Sequence, residues 1–598
     1  MREFSLPALY EVPSDGNLTD LIRRNAAQHP DTAVMARKVD GQWQDVTATQ
    51  FLAEVRAAAK GLIAAGIQPG DRVALISRTR YEWVLIDFAI WSAGAVTVPV
   101  YETSSPEQIQ WILGDSGAVA VVVESPGHAA AVAALRDRLP ELREVWEIEQ
   151  GALESLKAAG AEVPDAEVDA RSALAGADDP ATIVYTSGTT GRPKGCVLTH
   201  RSFFAECGNI VARLRPLFRT GECSVLLFLP AAHVFGRLVE VAAVLAPIRL
   251  GCVPDIKNLT DELQSFRPTL ILGVPRVFEK VYNSARAKAQ ADGKGKIFDA
   301  AAETAIAYSR ALDLPGGPSL KLKLKHKLFS KLVYSKLHGV LGGRGEYAIS
   351  GGAPLGERLG HFFRGIGFTV LEGYGLTESC AATAFNPWDK TKIGTVGQPL
   401  PGSVVRIADD GEVLLHGEHI FKEYWNNPAA TADALTDGWF HTGDVGTLDE
   451  DGYLAITGRK KELIVTAGGK NVAPAVIEDR IRAHALVAEC MVVGDARPFV
   501  AALVTIDEEF LGRWAAEHGK PAGVTAAELR EDADLLAAVQ QAVDDGNAAV
   551  SKAESVRKFR ILPSQFTEES GHITPSLKLK RNVVAKDFAD EIEALYRG

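Results

Sequence analysis

Short apolar runs, the later ones ending in glycine, serine, threonine or proline, recur between helical patterns along much of this chain, and no other feature restricts its fold as strongly. The runs are DRVALIS (71–77), VTVPV (96–100), AVAVVVE (118–124), TIVYTS (182–187), SVLLFLP (224–230), TLILGVP (269–275), YAISGG (347–352) and FTVLEGYG (368–375). Between the early runs, YEWVLIDFAIWSAGA and PEQIQWILGDS read as helices, and FLAEVRAAAKGLIAAG (51–66) repeats apolar residues three and four apart. Strands alternating with helices imply crossover connections and a mostly parallel, buried sheet, so the expected class is α/β. Ligands of such sheets bind beyond the carboxyl ends of the strands, where loops and helix N-termini converge. From about Asp20 to Ala65 the pattern reads as helix, with Thr19 as its cap.

After about Gly394 the texture changes. IGTVGQPLPG, VVRIADDGEVLLHG and GYLAITGR look like short antiparallel strands joined by Asp-Gly and Gly-rich turns, which predicts a β subdomain over about 394–457. GRKKELIV restarts the pattern at Gly458, and what remains is long enough for a small α/β domain. The expected organisation is a large N-terminal domain of several subdomains (1–457) and a small mobile C-terminal domain (458–598), with a hinge between them.

With 64 basic and 76 acidic residues the net charge is -12, so there is no whole-protein basic footprint for nucleic acid. The first residues lack the basic and apolar regions of a secretory signal. The longest uncharged stretch, Phe88–Tyr101, is interrupted by glycine and proline and is too short to span a bilayer. Six scattered cysteines form neither a CxxC pair nor a metal site with histidine. These features favour the cytoplasm and leave the oligomeric state open. LKLKLKHK and the residues that follow, Leu320 to Arg344, read either as a helix packed on the sheet with a solvated lysine face, the favoured reading, or as a peripheral contact with the inner face of the membrane.

The strongest local signal is YTSGTTGRPKG, Tyr185 to Gly195, directly after a strand-like run. Thr186, Ser187, Gly188, Thr189, Thr190 and Gly191 suit a loop that wraps phosphate with backbone N–H groups and hydroxyls, and Lys194 adds a charge. It is not a Walker A loop, because the four residues after Gly188 lead to Pro193 rather than to Gly-Lys-Ser/Thr. In EGYGLTES, Tyr374 offers an aromatic face to a purine, Thr377 a hydroxyl to phosphate and Glu378 a hard oxygen ligand to Mg²⁺. A dinucleotide GxGxxG is excluded, since Glu378 stands where its last glycine belongs. Gly351, Gly352 and Ala353 let backbone approach a flat base closely, and Asp444 in HTGD can accept hydrogen bonds from sugar hydroxyls.

These segments, with Leu229–His233, Gly273–Phe278, Gly438–Asp444, Gly458–Lys461 and Lys578, resemble the adenylate-forming superfamily, in its order and over nearly the whole chain. That superfamily includes acyl-CoA synthetases, luciferases and peptide-synthetase adenylation domains. YETSSPEQI, DIKNL, GVPRVFEKVYN and GRKKELIVTAGGKNVAPAVIE are most similar to bacterial long-chain fatty-acyl-CoA synthetases. The resemblance implies ATP, Mg²⁺ and coenzyme A acting on a fatty acid. It puts adenine at Gly351–Ala353, the ribose at Asp444 and Arg459, and His233 near the acyl and CoA channels. It also puts a hinge at Lys461, assigns Gly375, Gly468 and Gly469 to cofactor binding, and names Lys578, Thr377, Glu378 and His233 as the catalytic set. The ending ITPSLKLKR departs from the usual Ser-Gly-Lys: Leu577 stands in place of glycine, while Lys578 and Arg581 keep their spacing and Lys580 competes. An acyl-AMP ligase loading a carrier protein, or a synthetase for shorter or aryl acids, would carry much the same motifs. A non-catalytic fatty-acid-binding or scaffold protein would be expected to have lost the charged residues.

Overall fold

The computed structural model describes residues 2–186, 192–574 and 578–597. Two sheets form the body of the N-terminal part. In the seven-stranded sheet Val96–Val100, Arg72–Ile76, Ala118–Val123 and Glu144–Glu147 run parallel with Pro180–Thr186. Lys194–Thr199 returns antiparallel to Pro180–Thr186, with Thr186 opposite Lys194. The nine-stranded sheet has a parallel centre, Arg249–Cys252, Ser224–Leu227, Leu270–Gly273, Tyr347–Ser350 and Thr369–Tyr374, and antiparallel pairs at both edges. The α/β class expected from the alternating runs is the observed one.

Two local expectations fail. Residues 20–65 are not helical throughout: helices Thr19–Gln28 and Ala48–Ala64 flank a hairpin of Ala33–Val39 and Gln42–Thr47. Its turn is Asp40-Gly41, both at positive φ (47° and 78°), the geometry Asp-Gly favours in two-residue hairpins. Thr19 is the first helical residue rather than the cap; its hydroxyl donates to Asn17 Oδ1, which also accepts from the Thr19 N–H. Asn17 thus satisfies the donor that a cap would.

The helix Tyr81–Ser92 is buried on nearly every side, and its Phe88 meets Phe51 and Trp91 edge to face. Burying each such side chain stabilises the fold by about 1.5–3 kcal/mol, which is why this segment can be apolar all round.

The β subdomain is antiparallel: Val404–Ile407, Glu412–His416, Trp439–Leu448 and Leu454–Arg459 form its ladder, and Glu3–Ser5 from the far end of the chain pairs with Val404–Ile407. Leu454–Arg459 runs through Gly458 without a break. Beyond it, strands Val487–Val493, Val500–Ile506 and Val556–Ile561 and helices Pro474–Arg482 and Ala533–Asn547 enclose a separate apolar cluster that includes Ile477, Ile481, Val504, Leu535 and Val539. Carboxyl ends of strands in both large sheets, and the Asp444–Arg459 corner of the β subdomain, face one cleft.

Candidate active site

Gly351 follows Tyr347–Ser350 directly, and Gly352 adopts φ +85°, so the backbone turns without side chains at the cleft floor. The neighbouring strand Thr369–Tyr374 continues into Gly375, where a Cβ would sit 1.7 Å from the Ala381 carbonyl oxygen; no other residue fits. That close approach exists because the chain doubles back after the short turn Thr377–Ser379 through Cys380 (φ +58°) and Ala381 (φ +112°). The fully buried Glu206, on helix His200–Arg213, accepts a hydrogen bond from Ala382 N–H and holds this return in place. Nothing in the sequence marks Glu206 for this purpose.

The Tyr374 hydroxyl donates to Asp444 Oδ2 at 2.7 Å, and Arg459 Nε lies 3.0 Å from Asp444 Oδ1. Asp444 and Arg459 are opposite one another on paired strands, so the sheet register sets this contact. Burial and the facing Asp444 carboxylate push the Tyr374 phenol well up, so it remains a donor. Tyr374, expected to offer its ring face, here also anchors Asp444 through its hydroxyl.

A second chain of contacts lies across the cleft. Lys194 Nζ is 4.1 Å from the Tyr424 ring centroid, and the Tyr424 hydroxyl donates to Glu378 Oε1 at 2.7 Å. The Thr186 hydroxyl donates to the Lys194 carbonyl at 3.5 Å. Tyr424 reaches this place because Glu423–Tyr424 adds to the edge of Lys194–Thr199, with Tyr424 opposite Cys196. It is a site residue that the motif reading missed; FKEYW carries no signal beyond an aromatic in a short run. Ser187, Gly188, Thr189, Thr190 and Gly191 lie outside the described residues. Behind Lys194, burial first and Glu378 second push the Cys196 thiol well up, which leaves it protonated and inert.

Lys578 enters from the C-terminal part. Its N–H donates to Thr574 Oγ1 at 3.0 Å, its carbonyl accepts from Thr574 N–H at 2.8 Å, and Ile573 bridges Leu579. Leu577 lies outside the described residues. The Lys578 side chain is open to cleft water yet surrounded by protein. Loss of bulk solvent and then the Arg459 guanidinium lower its pKa, against the pull of Asp444, Glu378 and Glu462. Arg581 turns to the Glu478 carboxylate and the Val492 carbonyl. His233 caps helix Val234–Leu245, its Nδ1 accepting from Phe235 N–H at 3.1 Å, and burial followed by the Lys578 charge pushes its pKa down to about 3, so the imidazole is neutral.

Lys461 is exposed on the short turn Lys460–Glu462 and lines the cleft with Thr186, Lys194, His233, Gly351, Gly352, Ala353, Tyr374, Gly375, Thr377, Glu378, Asp444, Arg459 and Lys578. Gly468 and Gly469 do not; they sit in the exposed turn between Ile464–Val465 and Asn471–Val472. The cleft encloses about 2560 Å³ and extends into an apolar recess lined by Ile210, Leu214, Phe218, Leu238, Val239 and Ala242. Leu238 and Ala242, four apart, share one helix face. Among the described residues no group of three or more His, Cys, Asp or Glu side chains is placed to hold a metal. Glu378 supplies one carboxylate, which fits an ion such as Mg²⁺ that takes its other oxygens from phosphates and water.

Residues 22–425 match the family described as AMP-binding enzyme, and residues 461–598 match the AMP-binding enzyme C-terminal domain. The chain is 52% identical over 599 residues to the long-chain-fatty-acid--CoA ligase FadD15 of Mycobacterium bovis, covering 100% of both. Among solved structures it is similar to ATP-bound MatB from Rhodopseudomonas palustris, with TM-score 0.69, 25% identity and coverage of 96% of this chain and 99% of that one. It also shares its fold with the anthranilate CoA ligase AuaEII in complex with anthranoyl-AMP, with TM-score 0.71, 20% identity and coverage of 98% and 99%.

Proposed function

The chain belongs to the AMP-binding enzyme family, and on that premise we propose that it joins a long-chain fatty acid to coenzyme A at the expense of ATP, through an acyl-adenylate. The observation that carries this reading is the apolar recess opening into a cleft lined by Lys194, Glu378, Asp444, Arg459 and Lys578, an alkyl site joined to a polyphosphate site. Peripheral contact with a membrane is part of the same reading.

A carboxylate is a poor acyl donor because its leaving group would be an oxide. Its oxygen therefore attacks the α-phosphorus of ATP, the bond to pyrophosphate breaks, and acyl-AMP forms. The CoA thiol, losing its proton, then attacks the carbonyl carbon and AMP departs. No protein nucleophile is needed; positioning and charge supply the catalysis. Gly351–Ala353 give adenine a flat backbone surface, and the Tyr374-anchored Asp444 with Arg459 holds the ribose. Thr186 and Lys194, together with the segment 187–191 and Thr377, hold phosphate. Lys578 spans carboxylate and α-phosphate, and neutral His233 borders the acyl carbonyl without adding a charge. Mg²⁺, when bound at Glu378, would neutralise phosphate charge. Lys461 serves as the pivot by which the C-terminal part withdraws Lys578 and brings the Gly468–Gly469 turn to the site for thioester formation.

Glu378→Gln is expected to weaken Mg²⁺-dependent adenylation while leaving acid binding little changed, because a neutral amide replaces an anionic metal ligand. Wild-type pyrophosphate release across a magnesium titration would show that the carboxylate is not a ligand.

The recess sets chain length, and Ala242→Phe tests it. A ring that displaces three methylenes, at about 0.8 kcal/mol each, lowers kcat/KM roughly fifty-fold for the longest acids and leaves short acids nearly untouched. CoA consumption measured on acids from acetate upward decides the matter, with Ala242→Ser as the control. A loss uniform in chain length would place the alkyl chain elsewhere, and acyl-adenylate that accumulates in the presence of CoA would favour a carrier-protein acceptor.

A further inference from the structure

Helix Leu320–Phe329 and the turn that continues it, Ser330–Tyr334, have two apolar faces where a helix packed on a protein needs one. The inner face is docked. His326 stacks on Tyr308 at 3.9 Å and bonds the Gly365 carbonyl at 2.6 Å, the Tyr334 hydroxyl donates to the Ala301 carbonyl at 2.8 Å, and Phe329 and Tyr334 are buried. The outer face carries Leu320, Leu324, Leu328 and Leu332, spaced by four and exposed by 80%, 70%, 56% and 51%. Because the inner contacts already hold the helix, these leucines serve no purpose in the fold.

The charge along this segment is one-sided. Lys321, Lys323, Lys325, Lys327, Lys331 and Lys336 are exposed, and neither Asp nor Glu occurs from Leu314 to Gly345, in a chain whose net charge is -12. A second copy docking by the same surface would set lysines against lysines. An anionic bilayer accepts both parts of the face: the leucines enter the headgroup boundary while the lysine stems reach back to lipid phosphate and carboxylate. Helix Gly295–Leu312 packs beside this one; its Arg310 lines the cleft, and exposed Leu312 and Leu314 follow.

We propose that the outer face of Leu320–Leu332 is a docking surface for an anionic lipid bilayer. Its use, collecting a substrate that partitions into lipid, rests on the fatty acid reading given above; the docking itself does not. Co-sedimentation of the full-length protein with vesicles of phosphatidylcholine alone, and of phosphatidylcholine with phosphatidylserine, tests it. Wild type should bind the anionic vesicles, lose them as salt rises, and bind the neutral ones at least roughly tenfold more weakly. One variant combines Leu320→Ser, Leu324→Ser, Leu328→Ser and Leu332→Ser, and another Lys321→Gln, Lys323→Gln, Lys325→Gln and Lys327→Gln. Both should bind anionic vesicles at least roughly tenfold more weakly while keeping wild-type Tm and wild-type turnover of a water-soluble acid. Equal binding by wild type and variants, no preference for anionic lipid, or leucine-dependent self-association in sedimentation velocity would each overturn the proposal. Lipid binding without turnover of any acid would overturn the enzyme reading and leave the docking surface standing.

Discussion

Lys578→Ala should depress acid-dependent pyrophosphate release by about 10²–10³, the usual cost of removing one preorganised electrostatic stabiliser. Lys578 comes from the C-terminal part, yet the charges that act on its ammonium, from Arg459, Asp444, Glu378 and Glu462, belong to the rim of the cleft and the turn that leaves it. It is therefore poised to meet the charge that shifts from carboxylate to phosphate. Thioester formation from supplied acyl-adenylate should suffer much less, because that step follows withdrawal of the lysine. Lys580→Ala is the matched control: Lys580 precedes helix Arg581–Asp587, and its backbone N–H is tied to the His572 carbonyl. Two variants that behave alike, or a Lys578→Ala protein that remains folded but loses both half-reactions equally, would refute the assignment.

What could be read in advance follows the range of the interaction. Gly375 is legible because its neighbours form a motif, and the chain's return within a few residues, to 1.7 Å from where a side chain would start, admits only glycine there. Gly351–Ala353 were legible for the same local reason. The Tyr374–Asp444 hydrogen bond joins residues 70 apart, and only their separate chemistries were visible. Tyr424 and Glu206 act through sheet pairing and burial that no local spacing encodes. The hairpin at Asp40-Gly41 had a readable turn, but the helical runs on either side masked it. LKLKLK alternates like a strand and still forms a helix, since Leu322, His326 and Phe329 then share the inward side. Tertiary burial outweighs local alternation there.

Arg237→Met is expected to destabilise the N-terminal part by about 3–5 kcal/mol, the cost of breaking a buried pair by removing one partner. Arg237 and Asp87 are both fully buried, 2.5 Å apart, and the guanidinium also donates to Thr182 Oγ1 at 2.6 Å. Burial, and then the charge of Asp87, pushes Glu240 well up, and burial pushes Asp87 up as well against the pull of the Arg237 guanidinium. Without Arg237, the Asp87 carboxyl must take up a proton or stay charged in an apolar interior. The network sits on the far side of the helix that carries Leu238 and Ala242, so the wall of the acyl recess is anchored through it. Trp83 and Trp91 lie 5.4 and 5.2 Å from the guanidinium, so two of the chain's nine tryptophans carry this region's share of the fluorescence change during urea unfolding. Adding Asp87→Leu and Glu240→Leu to Arg237→Met should recover much of the loss, because an apolar cluster of similar volume costs no desolvation. If the single variant unfolds at the wild-type urea midpoint, the pair contributes no net stability and the recess wall is held by packing alone.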